Sequence, residues 1–196
     1  MLIIDEMFRR SLLREVAAMK SIEDQMATYA AYHQDARNKL THFVGVPVIV
    51  LSLFIPLAWL RLDIGGVALS AAMLFAAAVL LYYFLLDVPM ALAMLVVFAL
   101  LAWLGERIAL LGAVQGWSWF AALFIGGWIL QLVGHVYEGR RPALTDNLFQ
   151  IFVAPIFLAA EVFFALGYKP ALHAAVQERA RRMRATAPDV KLTAAS

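Results

Sequence analysis

Five long apolar blocks constrain the fold of this chain more than any other feature of its sequence. They occupy roughly residues 43–60, 64–86, 88–104, 117–137 and 148–168. A helix needs about 20 apolar residues to cross a bilayer, within a range of about 17–25. Every block except the third clearly meets this length, and the third does so if it extends past Glu106 and Arg107 to Leu111. The blocks therefore predict an all-α, multi-pass membrane helical bundle.

The composition agrees with a bilayer as the solvent. Hydrophobic residues make up 64% of the 196 residues and charged residues only 15%, whereas soluble domains are about half apolar and about a quarter charged. The chain has no cysteine, which excludes disulfides, thiolate metal sites and a cysteine nucleophile. Any metal must therefore be held by His, Asp, Glu or backbone groups.

Basic residues predict the orientation of the spans. By the positive-inside rule, the N-terminus is cytoplasmic because six basic residues precede or open the first block: Arg9, Arg10, Arg14, Lys20, Arg37 and Lys39. The pair Arg140–Arg141 and the basic cluster at 179–184 favour the same side, so the last block would have to leave and return without crossing. That block also contains Pro155 and Glu161, a helix breaker and a costly intramembrane charge. We expect about four spans plus a broken, re-entrant or interfacial fifth segment.

Three regions are expected along the chain. Residues 1–40 would form N-terminal amphipathic and cytoplasmic helices, the first over residues 2–20 and the second from a Ser21 cap to about Arg37. Residues 41–168 would form the transmembrane bundle, and residues 169–196 a basic C-terminal tail. The basic cluster in that tail is expected to contact lipid headgroups rather than nucleic acid.

The predicted topology brings three of the four histidines to one membrane face. His42 begins the first span, His33 lies just before it, and His135 ends the fourth span together with Glu138. Imidazole and carboxylate ligands with open positions suit non-haem Fe(II), and the same residue types also suit zinc. The sequence therefore predicts a metal site at the cytoplasmic face, with iron and zinc both open.

A shared site requires a break in the first helix. His33 and His42 are nine residues apart and would point to opposite sides of one continuous helix. Asn38 and Thr41 are the expected caps of a helix that restarts between them. Gly45, on the face of His42, would let another backbone come close.

Three further residues are candidates for catalysis beside the metal: Glu138, Asn38 and Tyr29. Glu138 follows His135 by three positions, so both can reach one object from the same helix face. Asn38, Tyr29 and Gln131 can hold ligating histidines, which usually donate their second ring N–H to an acceptor.

Two groups of residues form spaced motifs: Tyr29, His33, Asn38, His42, Gly45 and Pro47, then Gly134, His135, Glu138, Pro142 and Asn147. In residue type and spacing these motifs resemble those of the Mpo1-like (DUF962) family. The resemblance covers residues 29–168 and implies a membrane Fe(II)-dependent dioxygenase that performs α-oxidation of 2-hydroxy fatty acids, shortening them by one carbon with O2. It implies that His33, His42 and His135 are iron ligands or close neighbours of the iron, and it leaves the membership of Glu138 and His173 open.

The resemblance also implies partners and a location. The partners are a 2-hydroxy fatty acid, O2 and membrane lipids, without nucleic acid, and oligomer formation is left open. Arg37, Arg140 or Arg141 would neutralise the substrate carboxylate. Eukaryotic relatives lie in the endoplasmic reticulum, and a bacterial chain is expected in the inner membrane.

Other functions fit parts of the sequence. A membrane zinc hydrolase acting on a lipid would use the same ligands, with Glu138 as general base. A transporter or proton relay would use Glu161 and the histidines, although the second and third spans are almost wholly apolar. A lipid-binding protein without chemistry is the fourth reading.

Overall fold

The computed structural model describes residues 22–139 and 150–186, and this part of the chain forms seven helices and one β-hairpin. In chain order the elements are α1 (Ile22–Tyr32), α2 (Ala36–Trp59), β1 (Arg61–Ile64), β2 (Val67–Ser70), α3 (Ala71–Leu86), α4 (Val88–Ala109), α5 (Ala113–Glu138), α6 (Gln150–Ala165) and α7 (Pro170–Thr186). The helical fold class predicted from the apolar blocks is confirmed. The helix expected over residues 2–20 and the Ser21 cap lie outside the described residues.

Three of these helices are long and apolar enough to cross a membrane. They are α2, α4 and α5, with 24, 22 and 26 residues. Helix α4 ends at Ala109, so the third apolar block does extend beyond Arg107. Helices α3 and α6 have 16 residues each, or about 24 Å at 1.5 Å per residue, against a hydrocarbon core of about 30 Å. The three long helices fit a membrane protein, and the exact number of spans stays a prediction.

The second apolar block does not form one span-length helix, and that expectation was wrong. Its first part pairs in an antiparallel hairpin, in which Arg61 faces Ser70. The two turn residues, Gly65 and Gly66, have φ of +63° and +83°, the left-handed conformation that a two-residue hairpin turn requires and glycine adopts freely. Helix α3 therefore begins only after Ser70, whose hydroxyl accepts a hydrogen bond from the Met73 N–H.

Contacts at the hairpin end show that α2 and α4 run in the same direction. The Trp59 Nε1–H at the end of α2 donates to the carbonyl of Ala109 at the end of α4, over 3.1 Å. Arg61, just after α2, also forms an ion pair with Glu106 of α4. Helix α5 runs against both, because its last turn lies beside the first turns of α2.

Glycines let α2 and α5 approach closely. A Cβ atom on Gly45 would lie 2.6 Å from Nε2 of Gln131, and one on Gly127 would lie 2.6 Å from Cγ1 of Ile49. Small residues at a helix contact are the usual way to bring two membrane helices together. The close approach predicted at Gly45 is confirmed.

The buried core lies where α2, α3, α4 and α6 meet. Phe54, Tyr83, Phe98 and Phe157 are among its largest fully buried side chains. The Tyr83 hydroxyl donates to the carbonyl of Phe152 over 2.6 Å, which joins α3 to α6. These contacts hold the apolar helices around the end of α1.

The two terminal regions pack on each other. Arg179 of α7 forms ion pairs with Glu23 at 3.0 Å and Asp24 at 2.8 Å in the first turn of α1. The region expected to be a basic tail thus contributes a helix that lies against the N-terminal one. Helix α1 ends at Tyr32, which is earlier than the expected end near Arg37.

Candidate metal centre

The structure brings His33, His42 and His135 together at one end of the bundle. His33 follows α1, His42 lies in the second turn of α2, and His135 lies in the last turn of α5. All three side chains are buried. Each offers one ring nitrogen, and these three nitrogens lie within 4.8 Å of one another. The consecutive helices α1 and α2 and the distant end of α5 therefore converge on one small volume.

The helix is interrupted between α1 and α2, and this interruption lets His33 and His42 reach the same site. The side chain of Asp35 accepts a hydrogen bond from the Arg37 N–H at 2.8 Å and caps the start of α2. The predicted break is thus confirmed. The predicted caps are wrong, because Asn38 and Thr41 lie inside α2, where the Thr41 hydroxyl donates to the Asn38 carbonyl.

Backbone carbonyls fix the protons of two histidines. Nδ1 of His33 lies 2.8 Å from the carbonyl oxygen of Tyr29, and Nδ1 of His42 lies 2.9 Å from that of Asn38. A carbonyl oxygen only accepts, so each Nδ1 carries the proton and donates. In the neutral form of both rings each Nε2 is then a bare lone pair.

The two bare nitrogens face each other. Nε2 of His33 and Nε2 of His42 are 3.1 Å apart, which is unfavourable for two lone pairs unless a cation lies between them. Burial, followed by the neighbouring His42, lowers the pKa of His33 well below 6.5, so an extra proton is disfavoured at neutral pH. Two nitrogens bound at about 2.1 Å to one ion are about 3.0–3.4 Å apart at angles of 90–109°. The spacing therefore fits a shared metal ion.

His135 completes the donor set. Its ring lies 5.1 Å, between centroids, from the rings of both His33 and His42. Its Nδ1 is buried and has no hydrogen-bond partner within the described residues. A buried nitrogen without a hydrogen-bond partner is costly. Coordination of a metal by this ring would either make Nδ1 the ligand or turn Nδ1 to a new position. These three imidazoles are thus arranged so that they could hold one metal ion.

Tyr29 and Asn38, two of the candidate catalytic residues, support the histidines directly. The Tyr29 ring stacks on the His33 ring, with centroids 3.9 Å apart and planes 6° apart. Asn38 is fully buried, its carbonyl binds His42 and its Nδ2 donates to Glu138 at 3.2 Å. Direct catalytic roles for these two residues stay predictions.

Glu138 lies against the loop that carries His33, outside the group of three histidines. Its Oε2 accepts from the backbone N–H groups of Gln34 at 2.9 Å and Asp35 at 2.7 Å. Its Oε1 accepts from Nη1 of Arg184 at 2.5 Å. The side chain is only 1% exposed. With Nδ2 of Asn38 included, the carboxylate accepts hydrogen bonds from four donors. A catalytic or ligand role for it stays a prediction.

The other candidates fall in different places. Arg37 is exposed, pairs with Asp35 and lies over the Tyr137 ring at 4.6 Å. The pair Arg140–Arg141 lies outside the described residues. His173 stacks on Phe164, with centroids 4.6 Å apart, and within the described chain it does not join the histidine group.

Sequence reasoning missed three residues around the centre. Asp35 is the helix cap, and its residue type immediately before α2 was a usable signal. Arg184 reaches Glu138 from α7, and only the tertiary packing reveals it. Lys39 pairs with Glu161 at 2.8 Å, and this partner of the carboxylate is likewise revealed only by the tertiary packing.

Comparisons with known proteins agree with the motifs. The family model described as 2-hydroxy-palmitic acid dioxygenase Mpo1-like matches residues 19–166. A protein of Saccharomyces cerevisiae named 2-hydroxy-palmitic acid dioxygenase MPO1 is 35% identical to this chain over 162 residues. The alignment covers 80% of this chain and 87% of the yeast protein. No solved structure matches the chain significantly.

Proposed function

The chain belongs to the Mpo1-like family, and we propose that it is a membrane dioxygenase that shortens 2-hydroxy fatty acids by one carbon with O2. In this proposal His33, His42 and His135 hold Fe(II). The substrate class comes from the name of the yeast relative, 2-hydroxy-palmitic acid dioxygenase. The three buried imidazoles supply the place where the chemistry would occur.

The single observation that carries the proposal is the pair of bare nitrogens at 3.1 Å. Both Nε2 atoms of His33 and His42 point at each other while their Nδ1–H groups are taken by carbonyls. A buried contact of this kind is stable when a cation occupies it. A set of imidazoles with open positions suits non-haem iron, which would orient the 2-hydroxy acid and O2 when bound.

The residues around the histidines would keep the centre in shape. The Tyr29 and Asn38 carbonyls hold two ring tautomers, and such outer partners orient ligands and make them better donors. Glu138 would fix the loop at Gln34 and Asp35 through its backbone hydrogen bonds. The buried position of all three histidines would exclude bulk water from the reacting groups.

The location and topology are part of the same proposal. We infer a multi-pass protein with a cytoplasmic N-terminus, inserted in the inner membrane if bacterial. The parallel course of α2 and α4, with α5 opposed, supports a fourth crossing by α3, which must return the chain between them. We keep the predicted division into a cytoplasmic N-terminal region (1–40), a transmembrane bundle (41–168) and a basic C-terminal region (169–196), of which helix α7 packs on α1.

Zinc hydrolysis with Glu138 as general base receives no support from the geometry, because four donors already occupy that carboxylate. A non-enzymatic lipid-binding role would leave the facing nitrogens of His33 and His42 unexplained. We therefore keep the iron dioxygenase as the proposal.

The test combines metal content with oxygen uptake. Detergent-purified protein, reconstituted anaerobically with Fe(II), should hold about one iron per chain by elemental analysis and consume O2 with 2-hydroxypalmitate. His33→Ala, His42→Ala and His135→Ala should each lose both. His173→Ala is the matched control and should retain both, since His173 lies apart from the group. Zinc in place of iron, or no metal in the reconstituted wild type, would overturn the proposal.

A further inference from the structure

An apolar cleft opens between α2, α4 and α6, beside the candidate metal centre. Its volume is about 270 Å³, just below the range of roughly 300–1,000 Å³ that is typical of ligand pockets. Apolar side chains from three helices line it, including Phe43, Val46, Val50, Val97 and Leu158. Two of these helices, α2 and α4, are candidate membrane spans, so in a bilayer the cleft would open toward the acyl chains.

The cleft begins one helical turn from the histidines. His42 precedes Val46 by four positions on α2, and residues four apart lie on the same helix face. On α6, Phe157 packs on Tyr29 and lies 6.2 Å, between ring centroids, from His33. The next residue, Leu158, lines the cleft. An elongated apolar molecule in the cleft would therefore have one end close to the metal centre.

A partly buried ion pair joins α2 and α6 near that same end. Nζ of Lys39 lies 2.8 Å from Oε2 of Glu161, and both side chains are mostly buried. Lys39 precedes the lining residue Phe43 by one turn, and Glu161 is followed by the lining residue Val162.

The ion pair is incompletely satisfied. Lys39 has three ammonium donors, of which one hydrogen bond, to Glu161, is observed. Oε1 of Glu161 is buried and accepts no hydrogen bond within the described residues. An ionisable pair beside apolar spans is expensive and usually functional. Its position at the end of an apolar cleft indicates an amphiphilic ligand with an anionic head.

We propose that the cleft binds the acyl chain of the 2-hydroxy fatty acid and that Lys39 binds its carboxylate. This inference rests on the proposed function, because it takes the substrate class from there. Glu161 holds Lys39 in place and keeps a counter-ion beside it when no substrate is bound. The first part of the acyl chain would lie in the cleft and the rest of it in the bilayer, since the cavity is too small for a whole long-chain acid.

Lys39 is better placed to bind the carboxylate than Arg37, the arginine that the sequence suggested for this role. Arg37 points to solvent and is paired with Asp35. Lys39 lies three residues before His42 and one helical turn before the lining residue Phe43 on α2, so a carboxylate bound to it would be near both the cleft and the histidines. A charge-assisted hydrogen bond in such a place contributes strongly to affinity.

Photolabelling tests the cleft without relying on turnover. A 2-hydroxypalmitate analogue with a diazirine in its chain is irradiated with the full-length protein in lipid nanodiscs, and labelled peptides are mapped by mass spectrometry. Labels should fall on cleft residues and disappear with excess 2-hydroxypalmitate. Ala93→Phe, which fills the cleft, should reduce labelling about tenfold. Ala99→Phe is the same exchange on the exposed side of α4 and should leave labelling unchanged.

A charge test isolates Lys39. Lys39→Met should weaken 2-hydroxypalmitate binding about tenfold or more, as expected for a lost charge-assisted hydrogen bond, and Lys39→Arg should restore most of it. The neutral analogue 2-hydroxyhexadecanamide should bind wild type and Lys39→Met equally. The double variant Lys39→Met/Glu161→Gln removes the carboxylate left unpaired by the single change, and it should show the same loss for the acid with unchanged iron content.

The outcomes separate this inference from the proposed function. Specific labelling of the cleft without O2 uptake would support the cleft and overturn the dioxygenase. O2 uptake with labels spread over the lipid-facing surface, insensitive to competitor and to Ala93→Phe, would overturn the cleft and indicate bilayer lipid there. If Lys39→Met binds 2-hydroxypalmitate as tightly as wild type does, the role of Lys39 is overturned.

Discussion

Nη1 of Arg184 lies 2.5 Å from Oε1 of Glu138, so the last turn of α7 is fastened to the last residue of α5. The other oxygen of Glu138 accepts from the backbone N–H groups of Gln34 and Asp35. One carboxylate therefore joins the C-terminal helix to the loop that carries His33. The C-terminal region supports the histidine cluster through this contact.

Arg184→Met is expected to loosen that loop. The change leaves Oε1 of Glu138 buried without its donor, which should cost about 1–3 kcal/mol in the free energy of unfolding. Iron affinity should fall about tenfold, in line with the effect of removing an outer partner of a metal site. Thermal unfolding in detergent and metal titration measure the two effects.

Arg182→Met is the matched control on the same helix. Arg182 is 77% exposed and pairs only with Glu178 among the described ion pairs, and such surface pairs contribute about 0–1 kcal/mol. Equal effects of the Arg182 and Arg184 substitutions would contradict the role assigned to the Glu138 contact.

Gly134→Ala should disrupt the metal centre although it adds one methyl group. A Cβ atom at this position would overlap the Thr41 hydroxyl, lie 2.5 Å from Oδ1 of Asn38 and lie 3.1 Å from Nδ1 of His42. Overpacking of this kind costs about 1–3 kcal/mol, and here it would displace the carbonyl and ring that orient one ligand. We expect lower thermal stability and loss of most bound iron.

Gly126→Ala provides the comparison for that substitution. It lies on the same helix, and a Cβ there meets nothing within 4 Å. Since alanine is favoured over glycine inside a helix by about 0.5–1 kcal/mol, this variant should be as stable as wild type or more stable. A Gly134→Ala protein with normal iron content would show that α2 and α5 can separate without harm.

Acid is expected to destabilise the metal-free protein through His33. Burial, then the charge of His42, lowers the pKa of His33 in the folded state well below 6.5. In the unfolded chain His33 has a pKa of about 6.5, so it takes up a proton there at a higher pH than in the folded state. The free energy of unfolding therefore falls as the pH falls through about 6.5. Between pH 7.5 and 5.5 this single group should cost about 1.4 kcal/mol.

Comparison with His33→Gln isolates that contribution. Unfolding of both metal-free proteins is followed at pH 7.5 and 5.5, and the difference between their pH dependences reports the proton uptake of His33. A His33→Gln protein with the same pH dependence as wild type would mean that His33 titrates normally in the folded state.

Much of the fold and site was readable from the sequence because it depends on local patterns. Block length predicted the helical fold class and the three long helices, and the opposite directions expected for the first and fourth apolar blocks placed His42 and His135 at one end. The nine-residue separation of His33 and His42 required a break, and the structure has one. These inferences need only helix geometry and the length of a span.

The rest depends on tertiary contacts or on weaker local signals. The Gly65–Gly66 turn is a hairpin signal, but the apolar residues around it also fit a span. Nothing local links Arg184 to Glu138 or Lys39 to Glu161, since these pairs are set by how α7 and α6 pack on the bundle. The cleft likewise arises from the spacing of three helices, which no single segment encodes.

Substitutions of Tyr29 should distinguish support of the centre from direct chemistry. The Tyr29 ring stacks on His33 with centroids 3.9 Å apart, while the backbone carbonyl holds the His33 proton. If the ring acts by packing, Tyr29→Phe keeps the stack and should retain iron affinity and O2 uptake within about twofold. Tyr29→Leu removes the flat surface and should weaken iron binding about 10–100-fold, the range for outer partners of metal ligands. A Tyr29→Phe protein that binds iron normally but consumes no O2 would instead assign the chemistry to the hydroxyl group.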